Sequence, residues 1–128
     1  MIRSFFPVLT GLAAFAMMEK LLNLLAAVCW PSYAAALPTR SFSIAMLVTR
    51  LVAGAAVTFC AGFIASKIKV KGENSELWLS IALLMASVAW HIHIWQQYPS
   101  WYHFSWFAVL ICFAIWYVRP KKLQSHSA

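Results

Sequence analysis

Charge is what this sequence has least of. Only 10% of its 128 residues are charged, and three of those are acidic. A soluble globular domain is about one quarter charged and about half apolar. This chain is 63% hydrophobic, more than a domain of its size can bury inside itself. Lipid is therefore expected to solvate much of it. Cysteine is scarce as well. Cys29, Cys60 and Cys112 follow no CxxC or CxxH spacing, which removes the basis for a metal framework. Cys29 and Cys60 fall toward opposite membrane faces, so they are not expected to pair, and all three read as small apolar helix residues. There is no glycine-rich phosphate loop, no HExxH helix and no GxSxG elbow. No serine or cysteine has a base at motif spacing, and the reading leans against an enzyme. No run alternates polar and apolar residues, which argues against barrel strands. Internal repeats and low-complexity segments are also missing.

Four apolar runs remain, over about residues 5–30, 43–66, 75–97 and 101–118. Each is close to the roughly 20 residues that cross ~30 Å of hydrocarbon as a helix. Pro7 is tolerable in an opening helical turn. Pro31 and Pro38 mark a loop, and Pro99 and Pro120 end the third and fourth runs. Arg3 and Ala14-Phe15-Ala16 have the look of a signal peptide, but the run continues to Trp30, longer than a usual signal core. An uncleaved first span is the expectation. The fold class predicted is all-α, a single four-helix transmembrane bundle over residues 1–118, followed by a short polar tail over 119–128.

The net charge is +7, but its distribution does not fit nucleic acid, because the cations are sparse and sit just beyond the apolar runs. Arg3, Lys67, Lys69, Lys71, Arg119, Lys121 and Lys122 all fall on one side of a four-span chain. Arg40 alone falls on the other, while Lys20 and Arg50 lie within spans. By the positive-inside rule both termini are cytoplasmic. Trp30, Tyr33, Trp95, Tyr98, Trp101 and Tyr102 are then expected to form an aromatic belt at the outer face, with Trp78, Trp116 and Tyr117 at the inner one.

Within the second run, Gly54, Thr58, Gly62 and Ser66 recur at four-residue spacing, a stripe that lets another helix approach closely. Bulk on this stripe should disturb packing more than bulk at Val57. Arg50 lies one turn before Gly54 on the same face. Glu19 lies in the middle of the first run, with Asn23 one turn beyond it. Charges inside a membrane usually pair, face the bundle interior or mark a pathway. Counting from the outer edge at 1.5 Å per residue, Glu19 is about 14 Å deep, and Arg50 and His91 are each about 8 Å deep. A direct Glu19–Arg50 pair across the first two spans is expected, and Glu19, Asn23, Arg50 and His91 form the candidate polar site. Lys20 either snorkels or joins this cluster. His91 and His93 lie about 200° apart around a helix and cannot share one metal. A haem held by two histidines from separate helices, among His91, His93 and His103, is a minor alternative. No cofactor or metal is assigned.

Leu37-Pro38-Thr39-Arg40, ahead of a span with Arg50, Gly54 and Gly62, is followed later by Pro99-Ser100-Trp101-Tyr102-His103. Over about residues 37–118 this resembles a loose group of small, uncharacterised bacterial four-span membrane proteins. The resemblance implies a four-span fold in the bacterial inner membrane and no particular activity. The last span ends Tyr117-Val118-Arg119-Pro120, without the glycine pair often found in that group. The chain is also similar to small multidrug exporters in having four short spans and a glutamate in the first, Glu19. Its strong cation bias is unlike theirs. The expectation is a small accessory or assembly subunit in the lipid bilayer, contacting other membrane subunits or itself. A proton-coupled transporter using Glu19 is the alternative, and a haem-binding redox subunit ranks behind it.

Topology is tested with reporter fusions. Fusions after residue 71 and at the C terminus should report cytoplasm, and fusions near Ala35 the outer side. A C terminus on the side opposite to residue 71 defeats the four-span reading.

Overall fold

The structure is a computed structural model that describes residues 2–68 and 74–118. Among these residues every regular element is helical. Helix α1 is Ile2–Cys29, α2 is Pro31–Thr39, α3 is Ile44–Ile68, α4 is Ser75–His93 and α5 is Ser100–Val118. Three segments are long and apolar enough to cross a membrane: Phe5–Cys29, Ile44–Ile68 and Ser75–His93. Helix α5 is as long as α4 and opens on Ser100-Trp101-Tyr102-His103. Lys69, Lys71 and the tail over 119–128 lie outside the described residues.

The segment expected as a loop after the first run is helix α2. Proline is suited to the first turn of a helix because its missing N–H has no partner there, and Pro31 opens α2 in that position. Arg40 closes it in the left-handed region at φ 54°. The third run also ends earlier than expected. Helix α4 stops at His93, and a separate 3₁₀ turn, Trp95–Gln97, carries the chain toward Pro99. Pro7 falls inside α1 rather than in its opening turn.

Helix α1 packs on α3 and α4, and α5 packs on the same two from the other side. Helices α3 and α4 also touch, so α1 and α5 stand across the bundle from each other. Small residues make this possible. Ala61 and Ala65 of α3 are fully buried. A Cβ added at Gly11 of α1 would meet Leu79 at 2.8 Å and Ala65 at 3.3 Å. Toward one end the core gathers Ala65, Leu79, Leu83, Trp106, Leu110 and Phe113. A satellite of Tyr33, Ala36 and Met46 lies under α2.

The small-residue stripe of α3 meets α5. A Cβ at Gly54 would overlap the Trp106 ring, and one at Gly62 would overlap Phe113. Thr58 is buried and satisfies its hydroxyl on the Gly54 carbonyl at 2.7 Å. Ser66 is only half-buried and returns its hydroxyl to the Phe63 carbonyl at 2.7 Å. Val57, expected to lie off the packed face, is itself only 3% exposed. The reason is that α3 is covered from three sides, by α1, α4 and α5, so more than one stripe is buried.

Val52, 65% exposed, is the proper control for bulk on α3. Gly54→Leu and Gly62→Leu should each lower stability by about 1–3 kcal/mol through overpacking, whereas Val52→Leu should leave it unchanged. Thermal unfolding of the purified variants in detergent measures this, and equal tolerance at all three positions would mean that α5 does not seat on the glycines.

Candidate functional site

The site begins with a spacing. Glu19 and Asn23 are four residues apart on α1, so they share one face. Asn23 Nδ2 donates to the Glu19 carboxylate at 3.0 Å and to the Glu19 carbonyl at 2.8 Å. That leaves the Asn23 carbonyl oxygen free to accept from elsewhere. Arg50 Nη1, arriving from α3, donates to it at 3.0 Å. The same Nη1 donates to the Tyr33 hydroxyl at 2.7 Å, and Tyr33 in turn donates to Asn23 Oδ1 at 2.6 Å. Arg50, Asn23 and Tyr33 thus close a triangle. Burial pushes the Tyr33 phenol above its ordinary range, with Arg50 pulling the other way. Tyr33 is therefore a neutral hydroxyl that can donate and accept at once.

The expected direct pair between Glu19 and Arg50 is not formed. Glu19 reaches Arg50 only through the Asn23 side chain. Asn23 Oδ1 and the Tyr33 hydroxyl accept hydrogen bonds from the guanidinium instead. The Arg50 guanidinium also lies over the Phe42 ring at 5.0 Å, a cation–π contact. Its Nε is buried and has no hydrogen-bond partner among the described residues. Lys20 points away and is exposed.

Tyr33 and Tyr102 do not point outward from the bundle. They are 1% and 7% exposed and belong to a layer of rings inside that end of the bundle. Phe42 stands 5.4 Å from Tyr33 and 5.9 Å from Tyr98, and Tyr98 stands 5.3 Å from Tyr102. This layer joins the α2–α3 connection to the α4–α5 connection. Arg40 Nη1 adds a hydrogen bond to Gln97 Oε1 across the same gap. Trp95 and Trp101 do lie outward, at 43% and 39% exposure.

Two cavities flank the cluster. The larger, about 570 Å³, lies among α1, α3, α4 and α5. Glu19, Asn23, Arg50, His91 and Tyr102 line it together with Ser87 and the rings of Phe15, Trp90 and Trp106. All four residues of the candidate polar site therefore face one space. The smaller, about 290 Å³, lies among α1, α2 and α3, and Glu19, Asn23 and Arg50 line it too. The cluster separates the two cavities.

His91 does not meet Arg50 directly. Its Nδ1 is 2.6 Å from Nδ1 of His103, a residue that the spacing argument left at the entry of the last span. Two nitrogens on one tetrahedral zinc would stand roughly 3.3 Å apart, given zinc–nitrogen bonds of about 2.0–2.1 Å. The observed distance is that of a hydrogen bond. Among the described residues no three His, Cys, Asp or Glu side chains gather as a metal site. His93 is exposed, and Cys29, Cys60 and Cys112 are free and exposed. Sequence reasoning missed Tyr33 as a site residue, and it named His103 only for the haem alternative and not for the polar site. Pro31 could have signalled the helix that carries Tyr33, but nothing local signals that this helix turns inward.

Comparison of the chain with protein-family models, with curated proteins and with solved structures gave no match.

A double-mutant cycle tests the bridge. Asn23→Ala and Arg50→Gln should be strongly non-additive in thermal stability, with a coupling of about 0.5–3 kcal/mol as expected for groups in contact. Glu19→Gln and Arg50→Gln should couple more weakly. If the Glu19–Arg50 coupling is the larger of the two, the carboxylate touches the guanidinium directly.

Proposed function

We propose that this chain is a four-span membrane protein that carries a small solute through the larger cavity, with Glu19 binding and releasing a proton in the process. Helix α5 is the fourth span, and both termini are cytoplasmic. The one-sided distribution of Arg3, Lys67, Lys69, Lys71, Arg119, Lys121 and Lys122 supports that orientation. The resemblance over residues 37–118 supports the bacterial inner membrane.

The observation that carries the reading is the state of Glu19. A carboxylate locked in an ion pair with Arg50 would be a structural element that resists protonation. Among the described residues Glu19 instead has a single side-chain hydrogen-bond partner, the neutral amide of Asn23, and it borders both cavities. An intramembrane carboxyl that is reachable and not neutralised by a cation is suited to exchanging protons. Arg50 is held apart by Asn23 and Tyr33, which leaves it as a fixed positive charge on the cavity wall. The accessory-subunit reading needs neither cavity.

The test uses sealed vesicles containing the purified protein and an internal pH-sensitive dye. A panel of small organic acids and amines is added outside, one at a time. At least one solute should move protons across the membrane. That movement should be lost in Glu19→Gln and kept in Lys20→Gln, whose side chain is exposed. Wild-type vesicles in which no solute moves protons leave the accessory-subunit reading in place.

A further inference from the structure

His91 sits near the end of α4 and His103 in the first turn of α5, so the turn between them folds the two side chains together. They are 4% and 0% exposed. Their rings stand almost perpendicular, at 81°, with centroids 4.9 Å apart. The short Nδ1–Nδ1 contact constrains where the protons are. With no proton between them, two lone pairs would face each other at 2.6 Å. With two, two N–H bonds would collide. One proton lies in the bridge.

The rest follows from the partner of His103. Its Nε2 is 3.3 Å from the Trp95 carbonyl, which can only accept. His103 Nε2 therefore carries hydrogen, and neutral His103 presents Nδ1 as an acceptor. The bridging proton belongs to His91 Nδ1. His91 is then neutral with a lone pair on Nε2, which makes no hydrogen bond among the described residues. His91 lines the larger cavity, so this basic nitrogen serves the space that Glu19 and Arg50 border.

We infer that His91 and His103 form a dyad that takes one proton, and only one, from the larger cavity, giving that cavity a second proton site besides Glu19. A proton donor in the cavity, either a protonated solute or water, gives its proton to His91 Nε2. His91 becomes an imidazolium, and the bridging proton can shift from its Nδ1 to Nδ1 of His103. The positive charge is then shared over two rings while His103 keeps its bond to the Trp95 carbonyl. A second proton would need a second N–H in the bridge, and the packing leaves no room for one. Trp95 stacks on His103 at 4.5 Å and Phe107 lies 5.2 Å from His91, so neither ring can swing away freely. The titratable and charged groups around the dyad are Glu19 from α1, Arg50 from α3, Tyr102 from α5 and Tyr98 from the connection.

This inference rests on the cavity being the working site proposed above, but its test requires no solute. Uniformly nitrogen-labelled protein in detergent is titrated while the ring nitrogens of all four histidines are followed by NMR. At neutral pH a nitrogen–nitrogen coupling across the Nδ1–Nδ1 bond should be visible for His91 and His103, and for no other pair. As the pH falls, these two should take up one proton together. Replacing His103 with Asn should abolish the coupling and let His91 titrate by itself. If that variant does not fold, the wild-type coupling and proton count still decide. Two independent protonations at His91 and His103, or no coupling between them, overturn the dyad. A working dyad in vesicles that move no solute would leave the dyad standing and remove the carrier reading.

Discussion

An arginine side chain does not shed its proton at any accessible pH, so Arg50 remains a cation wherever the fold places it. Here it is placed inside an apolar bundle, half-buried between α1 and α3. Unpaired charge in such surroundings is expensive. The structure answers with neutral acceptors rather than with the nearest acid. Asn23 supplies its amide oxygen, Tyr33 its hydroxyl and Phe42 the face of its ring. Two of these three come from the chain between the first two long helices. That segment must therefore fold back over the bundle as α2 instead of looping away from it. The ring layer through Phe42, Tyr98 and Tyr102 and the Arg40–Gln97 bond then follow as the means of holding it down.

Satisfying Arg50 in this way leaves Glu19 with an unusual freedom. A direct ion pair would have neutralised both charges and made one inert strut. Inserting Asn23 between them separates their roles. The guanidinium is fixed by a closed triangle, while the carboxylate keeps one partner and an open side. The same separation divides the interior into two cavities, because Glu19, Asn23 and Arg50 form the wall between them. The histidine pair, supplied by α4 and α5, places a hydrogen-bonded dyad beside the larger cavity.

The glycine stripe shows how far local spacing reaches. Gly54 and Gly62 identify a face where a helix comes close, and their four-residue interval is visible in the sequence. That Trp106 and Phe113 of α5 fill the space above them is not, because any of the other helices could have taken that place. Val57 marks the limit of the same argument. One small stripe suggests one packed face, yet a helix covered from three sides buries positions off the stripe as well.

What the sequence by itself determined is the helical class, the presence of long apolar helices and the polar residues that had to be accommodated among them. These depend on composition and on spacing along single helices, which are local properties. The tertiary structure alone decided which polar groups meet. Glu19 and Arg50 have depths compatible with pairing, but depth is one coordinate of three, and the facing of α1 against α3 brought Asn23 between them. Tyr33 reads as an interfacial aromatic until α2 turns inward. His103 reads as one of three histidines that could share a cofactor, and only the turn after α4 lays it directly against His91. A hydrogen bond depends on separations of a few tenths of an ångström and on direction, and those are set by how the helices rotate about their axes, which no single segment encodes.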